Sequence, residues 1–200
     1  MSNEASKVYN RIKNLLISPV LDIGCGSDKI CPEAQGYDKV NGDAEVCENL
    51  NSNHYNTIFS SHCLEHLTDP SYALANWWRL LKPYGFLIIY VPDEDLYEQG
   101  VWPSIFNGDH KHTFTPSKSF SWSPASLNIL DLVKHLPGHK LYSLRIIDDG
   151  YEHRAPRQDQ TAAAAAEAHI ELILQKLPAE TPLSPETILD KVTVTYARSS

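Results

Sequence analysis

The sequence lacks the features that would send a protein into or across a membrane. It has no apolar run of about 18 residues, the length that a membrane-spanning helix needs. Residues 1–4 also lack the basic-then-apolar pattern that opens a secretory signal peptide. We therefore expect no membrane partner.

The sequence also lacks a basic stripe of the kind that binds nucleic acid phosphates. It contains 17 Lys+Arg against 25 Asp+Glu, a formal net charge of −8 at pH 7. Most of this negative charge falls in the first hundred residues, and the later arginines at 145, 154 and 157 form at most a local patch. Because phosphate contacts require clustered positive charge, we expect no nucleic acid partner.

Cysteine is scarce, and its spacing fits no common motif. The four cysteines, at positions 25, 31, 47 and 63, include no Cys-x-x-Cys pair. Reduced, unpaired thiols are typical of the cytoplasm, so we expect a cytoplasmic protein.

The most informative stretch that is present joins an apolar strand to two glycines. Residues 19–23 predict a buried strand, and it leads into Asp22-Ile23-Gly24-Cys25-Gly26. Glycine lets the backbone turn sharply and lets a ligand approach the main chain without an intervening Cβ. Open α/β sheets bind nucleotides at such turns, beyond the carboxyl ends of their strands. The simpler interpretation is a tight strand-to-helix turn with an incidental acid.

Apolar periodicity predicts a chain in which strands and helices alternate. The predicted strands are 19–23, 35–38, 55–60, 86–91 and 140–147; the predicted helices are 5–17, one from Asp69-Pro70 that ends before Lys82, and one that opens at Ser123-Pro124. Trp77 and Trp78 fall on the core-facing stripe of the second helix, so we expect them in the core rather than in a ligand cage. Residues 92–122 have little periodicity, and so long a connection is typical of a functional or disordered loop.

The C-terminal region fits more than one interpretation. The alanine-rich residues 161–168 favour a helix, or else a flexible segment, and offer no chemistry. Residues 169–176 have both strand alternation and helical spacing. We expect them to form the sheet's reversed strand, because they follow the 140–147 strand sooner than the alternative, Val192–Tyr196.

This order of features resembles the class I S-adenosylmethionine-dependent methyltransferases. The resemblance is strongest to small bacterial enzymes with a Ser-His-x-Leu-Glu-His-Leu stretch, here residues 61–67; it covers residues 19–92 closely and 109–116 more weakly. It implies an α/β fold with a Rossmann-like, mostly parallel sheet flanked by helices, in a single domain over residues 1–200. The core would span about 5–150. Residues 92–122 would form a lid or acceptor region, and residues 151–200 the C-terminal strand(s) and tail.

The resemblance also implies that S-adenosyl-L-methionine is the cofactor and assigns roles to residues. Main chain at the two glycines would lie against the methionine end of the cofactor, with Asp22 near its ammonium group. Asp38 would accept from both ribose hydroxyls, and Asp43 from the adenine amine. The simpler interpretation of these two acids is a pair of solvated turn residues. The implied cofactor contacts are Asp22, Gly24, Cys25, Gly26, Asp38, Asp43, Ala44, Ser61 and His62.

Methyl transfer to oxygen requires a base, and histidine suits that role near pH 7. We predict His110 or His112 as this base, since their loop should fold over the site, with His66 as the second choice. The simpler interpretation is that each is a structural histidine. We expect a small-molecule acceptor, or a saccharide as the resemblance implies, and methylation at oxygen ahead of nitrogen.

Two histidine patterns are also compatible with metal binding. These are His110-x-His112 beside Asp109, and Cys63-x-x-His66. Neither completes a recognisable ligand set, so we predict no metal site.

Two other functions remain open. One is a regulatory protein that binds S-adenosylmethionine without turnover. The other is an NAD(P)-linked enzyme, which would carry Gly-x-Gly-x-x-Gly; here Lys29 stands where the third glycine should be. The sequence does not predict an oligomeric state.

Overall fold

The structure, a computed structural model, describes residues 3–178. Its strands are β1 Val20–Ile23, β2 Gln35–Tyr37, β3 Tyr55–Ser61, β4 Leu81–Pro92, β5 Thr113–Thr115, β6 Ser126–Asn128, β7 His139–Ile147 and β8 His169–Lys176. Its α-helices are α1 Asn3–Ile12, α2 Pro70–Leu80 and α3 Ile129–Val133, and shorter helical turns lie at Lys13–Leu15, Leu64–His66, Glu94–Glu98 and Ala162–Ala164.

A six-stranded sheet with the order β2-β1-β3-β4-β8-β7 forms the centre of the molecule. Strands β2, β1, β3 and β4 run parallel, and β8 runs antiparallel to both of its neighbours, β4 and β7. This confirms the predicted α/β fold and the predicted reversed strand at 169–176. The competing strand, Val192–Tyr196, lies outside the described residues.

Both faces of the sheet are covered, which explains why its middle strand is apolar throughout. In β4, Leu87, Ile89 and Val91 join the core cluster on the side of α2 and α3. Phe86, Ile88 and Tyr90 alternate with them and join the cluster on the side of α1. Trp77 and Trp78 of α2 are buried in the first cluster, so their prediction as core residues is confirmed.

Helix α2 begins where its capping residue predicts. The Asp69 side chain accepts a hydrogen bond from Tyr72 N at 3.0 Å, and Pro70 occupies the first helical turn. Strand β4 then starts directly at Leu81, without a connecting loop. The predicted helix-ending residues 82–85 therefore belong to the start of a strand.

Three predicted helices are shorter in the structure. Helix α1 ends at Ile12, and one further turn reaches Leu15, where Thr57 Oγ1 donates to Leu15 O at 2.7 Å. The predicted helix start at Ser123-Pro124 is wrong. Residues 126–128 instead pair with β5, and the Asn128 side chain caps α3. The alanine-rich segment 161–168 forms one turn at Ala162–Ala164 before the chain enters β8.

A buried acid, Glu94, ties the start of the long connection 92–122 to its end and to β6. Glu94 is fully buried, and its carboxylate accepts hydrogen bonds from Ser126 Oγ at 2.6 Å, Ser121 Oγ at 2.7 Å and Lys118 Nζ at 3.0 Å. These contacts give the connection a fixed path past the carboxyl ends of the parallel strands. None of the helices within residues 3–178 has the length and apolar character needed to span a bilayer.

Candidate functional site

A cavity of about 900 Å³ opens at the carboxyl edge of the parallel strands. Its wall is built by residues from four segments: the turn after β1, residues 38–45 after β2, residues 62–68 after β3, and Asp109 and Lys111 of the long connection. Parallel strands bring their carboxyl ends to one edge of the sheet, which is why segments so distant in sequence meet here. The lining residues are Gly24, Asp38, Lys39, Gly42, Asp43, Ala44, Glu45, His62, Cys63, His66, Leu67, Thr68, Asp109 and Lys111.

The two glycines after β1 form the turn that the sequence predicts, and both have left-handed backbone. Gly24 has φ +76°, and a Cβ there would lie 2.6 Å from the Cys63 Cβ. Gly26 has φ +54°, and within the described part of the chain no atom lies within 4 Å of where its Cβ would be. Gly24 therefore provides a close approach between two segments, whereas Gly26 leaves its backbone accessible. Cys25 lies half-buried between them.

Asp22 lies behind this turn. Its side chain is buried, and Oδ2 accepts a hydrogen bond from Ile30 N at 2.6 Å. Burial raises the pKa of this carboxyl to about 6, although the bond from Ile30 acts in the opposite direction. The described cavity wall does not include Asp22, so in this structure the acid supports the turn from below.

Asp38 and Asp43 both reach the cavity. Asp38 Oδ2 accepts from Gly26 N at 2.8 Å, so this acid also fixes the second glycine of the turn. Asp43 Oδ1 accepts from Glu45 N at 2.8 Å. A carboxylate offers about four acceptor positions, so each acid can still accept hydrogen bonds from a ligand. Ala44, next to Asp43, is held by its carbonyl, which accepts from Trp77 Nε1 at 2.8 Å.

The end of β3 contributes His62, which has a left-handed backbone with φ +51°. Its main-chain N–H donates to Tyr90 O at 3.0 Å, which continues the pairing of β3 with β4. Its ring lies between an imidazole and a carboxylate, with Nε2 3.3 Å from His169 Nδ1 and Nδ1 3.3 Å from Glu65 Oε1. Ser61 lies half-buried at the last position of the strand.

The three histidines predicted as bases differ in their access to the cavity. His66 lines it. His110 is buried, with Nδ1 2.7 Å from Glu98 Oε1, and half-buried His112 places Nε2 3.3 Å from Thr68 O. Neither belongs to the described cavity wall.

Several residues of this region were not predicted from the sequence. Glu65 was part of the recognised stretch 61–67, but its full burial against His62 and His66 was not foreseen. Glu98 has no sequence pattern that marks it, because it reaches His110 only through the path of the long connection.

Comparison with known protein families agrees with this geometry. A family model described as a methyltransferase domain matches residues 2–123. The chain belongs to this methyltransferase-domain family. With the fold described above, it is a class I methyltransferase, and S-adenosylmethionine is its methyl donor.

Solved structures of low sequence identity share the fold of this methyltransferase. YcgJ from Bacillus subtilis is 12% identical with a TM-score of 0.57, and the match covers 86% of this chain and 99% of that one. A methyltransferase from Archaeoglobus fulgidus is 15% identical with a TM-score of 0.56, covering 86% and 94%. One from Methanosarcina mazei is 15% identical with a TM-score of 0.52, covering 84% and 98%. A search of curated proteins finds no match.

The residues of the cavity fit the methyl donor. The donor carries a positive charge on sulfur, and the wall holds the acids Asp38, Asp43, Glu45 and Asp109 against the cations Lys39 and Lys111. The accessible backbone at Gly26 and the carboxylates of Asp38 and Asp43 offer acceptors and main-chain surface for a nucleoside. A methyltransferase of this class can therefore hold its cofactor here.

Proposed function

We propose that this methyltransferase transfers a methyl group to an oxygen atom of a small or saccharide-like hydroxylated acceptor. The observation that supports the proposal is one cavity bordered by the two acids expected to bind the nucleoside, Asp38 and Asp43, and by an imidazole, His66. Its volume of about 900 Å³ lies near the upper end of the usual range for ligand sites. That size is suited to a donor and a small acceptor together.

Asp38, Asp43 and the glycine turn would hold the donor at one side of the cavity. When bound, S-adenosylmethionine supplies a methyl group on a positively charged sulfur. The protein then has to align the acceptor oxygen, the methyl carbon and the sulfur, a contribution worth roughly 7–11 kcal/mol in favourable cases. Lys111 and Asp109 also line the cavity and are suited to bind hydroxyl groups of the acceptor.

His66 is the histidine that we propose to act on the acceptor, ahead of His110 and His112, because it lines the cavity. Its Nδ1 lies 3.2 Å from the carbonyl oxygen of Asp109, which can only accept, so Nδ1 carries the hydrogen. Nε2 of the neutral ring therefore keeps a lone pair. His66 would take the hydroxyl proton as the acceptor oxygen bonds to the methyl carbon and the carbon–sulfur bond breaks, leaving S-adenosylhomocysteine.

The test is transfer of a labelled methyl group to a panel of hydroxylated compounds, sugars and amines. We expect O-methylated products with the wild type and a loss of about 10²–10⁴-fold in kcat for His66→Gln, the usual contribution of a general acid–base group. His135→Gln, on an exposed residue, is the matched control and should be unaffected.

Binding measurements separate this proposal from its alternatives. S-adenosylhomocysteine should raise the melting temperature and NAD should not, because a ligand stabilises only the native state that binds it. Binding of S-adenosylhomocysteine without transfer to any compound of the panel would favour a regulatory protein. Exclusive N-methylation would contradict the proposed oxygen acceptor.

A further inference from the structure

Beside the cavity, three side chains from two distant segments converge on one point. They are Glu65 and His66, directly after β3, and His110 of the long connection. One ligand atom from each lies within 4.8 Å of the other two. The rings of His66 and His110 meet edge to face, with centroids 5.0 Å apart.

Glu65 is a buried carboxylate without a hydrogen-bond partner among residues 3–178, although two imidazoles lie at ion-pair distance. The residue is fully buried, and among residues 3–178 neither of its side-chain oxygens has a hydrogen-bond partner. Its nearest polar neighbours are His62 Nδ1 at 3.3 Å and His66 Nε2 at 3.9 Å, both imidazole nitrogens. Buried charges in proteins are normally hydrogen-bonded, paired or bound to a metal, since leaving them unsatisfied costs several kcal/mol.

The two imidazoles are both held through Nδ1. His66 Nδ1 donates to the carbonyl oxygen of Asp109 at 3.2 Å, and His110 Nδ1 donates to the buried Glu98 carboxylate at 2.7 Å. Tyr97 packs against the His110 ring, with centroids 5.2 Å apart. Each ring therefore has a fixed orientation and a lone pair on Nε2. Metal-binding histidines are held in the same way, by a carbonyl or a carboxylate on the second nitrogen.

The buried negative charge at this point also favours a bound cation. Two buried acids lie beside this pair of histidines: Glu65 next to His66, and Glu98 next to His110. No lysine or arginine of the described residues forms an ion pair with either acid. A divalent ion would offset this negative charge.

We propose that Glu65, His66 and His110 bind a divalent transition metal ion, and that this ion binds the acceptor oxygen. Two imidazole nitrogens and one carboxylate suit Zn²⁺ or Fe²⁺. Bonds of about 2.0–2.2 Å place such ligand atoms roughly 3–4 Å apart, so shifts of about 1 Å or less close the site.

The inference rests on the proposed function and refines the role of His66. Because His66 lines the cavity, an ion on its Nε2 lies at the cavity wall beside Asp109 and Lys111. With three protein ligands, the ion keeps at least one coordination position for an oxygen of the acceptor. A bound divalent ion lowers the pKa of a coordinated hydroxyl, so that hydroxyl would give up its proton to solvent water. The resulting oxyanion would bond to the methyl carbon as the carbon–sulfur bond breaks, leaving S-adenosylhomocysteine. His66 would therefore act through the metal rather than take the proton itself. A six-coordinate ion such as Fe²⁺ would keep further positions, so the preferred acceptors are then those whose hydroxyl lies next to a second oxygen that also binds the metal.

Metal binding is tested directly on the whole protein, treated with a chelator and then dialysed. Titration with Zn²⁺ followed by calorimetry should show one equivalent in the wild type and in the control His135→Gln. Affinity should fall at least 100-fold in Glu65→Gln and His110→Gln. His66→Gln, at a partly exposed position, provides a variant whose folding is less at risk. Circular dichroism checks that each variant is folded. Titration with Co²⁺, which has a visible spectrum sensitive to its ligands, reports binding of the metal by a second method.

Two binding results and one activity result would overturn the inference. One is the absence of stoichiometric Zn²⁺ or Co²⁺ binding by folded wild type; the other is binding that all three substitutions leave unchanged. Methyl transfer that survives chelation but is lost in His66→Gln would also overturn it, and would leave the proposed role of His66 as a base intact. S-adenosylhomocysteine binding, measured with and without metal, tests the cofactor site separately, so failure of the proposed function is distinguishable from failure of the metal site.

Discussion

Substituting Gly24 by alanine tests the close approach of Gly24 to Cys63, two residues that line the cavity. Gly24 has φ +76°, and an alanine Cβ would lie 2.6 Å from Cys63 Cβ and 2.8 Å from Cys63 Sγ. The left-handed conformation costs a non-glycine residue about 1–2 kcal/mol. The overlap with Cys63 is a case of overpacking, which adds about 1–3 kcal/mol.

Gly26→Ala is the matched control, because it has the same left-handed backbone without the crowding. Its φ is +54°, and within the described residues nothing lies within 4 Å of an added Cβ. We therefore expect Gly26→Ala to lower the free energy of unfolding by about 1–2 kcal/mol and Gly24→Ala by about 2–5 kcal/mol. Urea denaturation at constant m-value measures both.

A double-mutant cycle isolates the contact itself. Cys63→Gly removes both atoms that an alanine at position 24 would meet. Gly24→Ala should therefore cost about 1–3 kcal/mol less in the Cys63→Gly background than in the wild type. Equal costs for Gly24→Ala and Gly26→Ala, together with an additive cycle, would refute the reasoning.

Two buried acids should give opposite pH dependences of stability. Glu167 is buried, which alone would raise its pKa, but hydrogen bonds from His169 and Arg11 lower it to about 2. Glu167→Gln should therefore lower the free energy of unfolding at pH 7 by about 3 kcal/mol, with the difference disappearing as the pH falls from 5 towards 2. The pKa of Asp22 is raised to about 6 by burial, so its stabilising contribution is complete below pH 4 and is lost as the pH rises through 6. Asp22→Asn cannot ionise, so the free energy of unfolding of this variant should not show the fall of up to about 3 kcal/mol that Asp22 causes as the pH rises through 6. Urea denaturation across pH 3–8 checks both, and parallel profiles for variant and wild type would contradict either prediction.

The parts of the fold that follow from local sequence were predictable. Asp69 and Pro70 mark the start of α2, and the spacing of Trp77 and Trp78 marks its buried face, because capping and periodicity act over a few residues. The apolar run of β4 likewise identifies a central strand, since a strand covered on both faces has no polar side.

The parts that depend on tertiary pairing were not predictable. Residues 126–128 form a strand only because β5 pairs with them, and that pairing moves the start of α3 from Ser123 to Asn128. The turn that follows α1 is likewise held by a distant residue, since Thr57, more than forty residues away, donates to Leu15 O.

The same distinction holds for the candidate site. Asp38 and Asp43 were predicted because they follow a strand end in a recognised order, and both reach the cavity. The cluster of Glu65, His66 and His110 could not be predicted, because its members come from segments brought together by the path of the long connection. Neither of the two local metal patterns considered from the sequence contains this set.

Calorimetric titration with S-adenosylhomocysteine tests the central claim, that acids beyond the strand ends bind the donor. The wild type should bind one equivalent. Asp43→Asn keeps an oxygen that accepts from Glu45 N but removes the negative charge of the side chain. The affinity of this variant for S-adenosylhomocysteine should fall about 10- to 150-fold, because a hydrogen bond to a charged group is worth about 1.5–3 kcal/mol. Asp131→Asn, at an exposed position in α3, should bind like the wild type. No binding by the wild type, or equal affinity in the wild type and Asp43→Asn, would contradict the account.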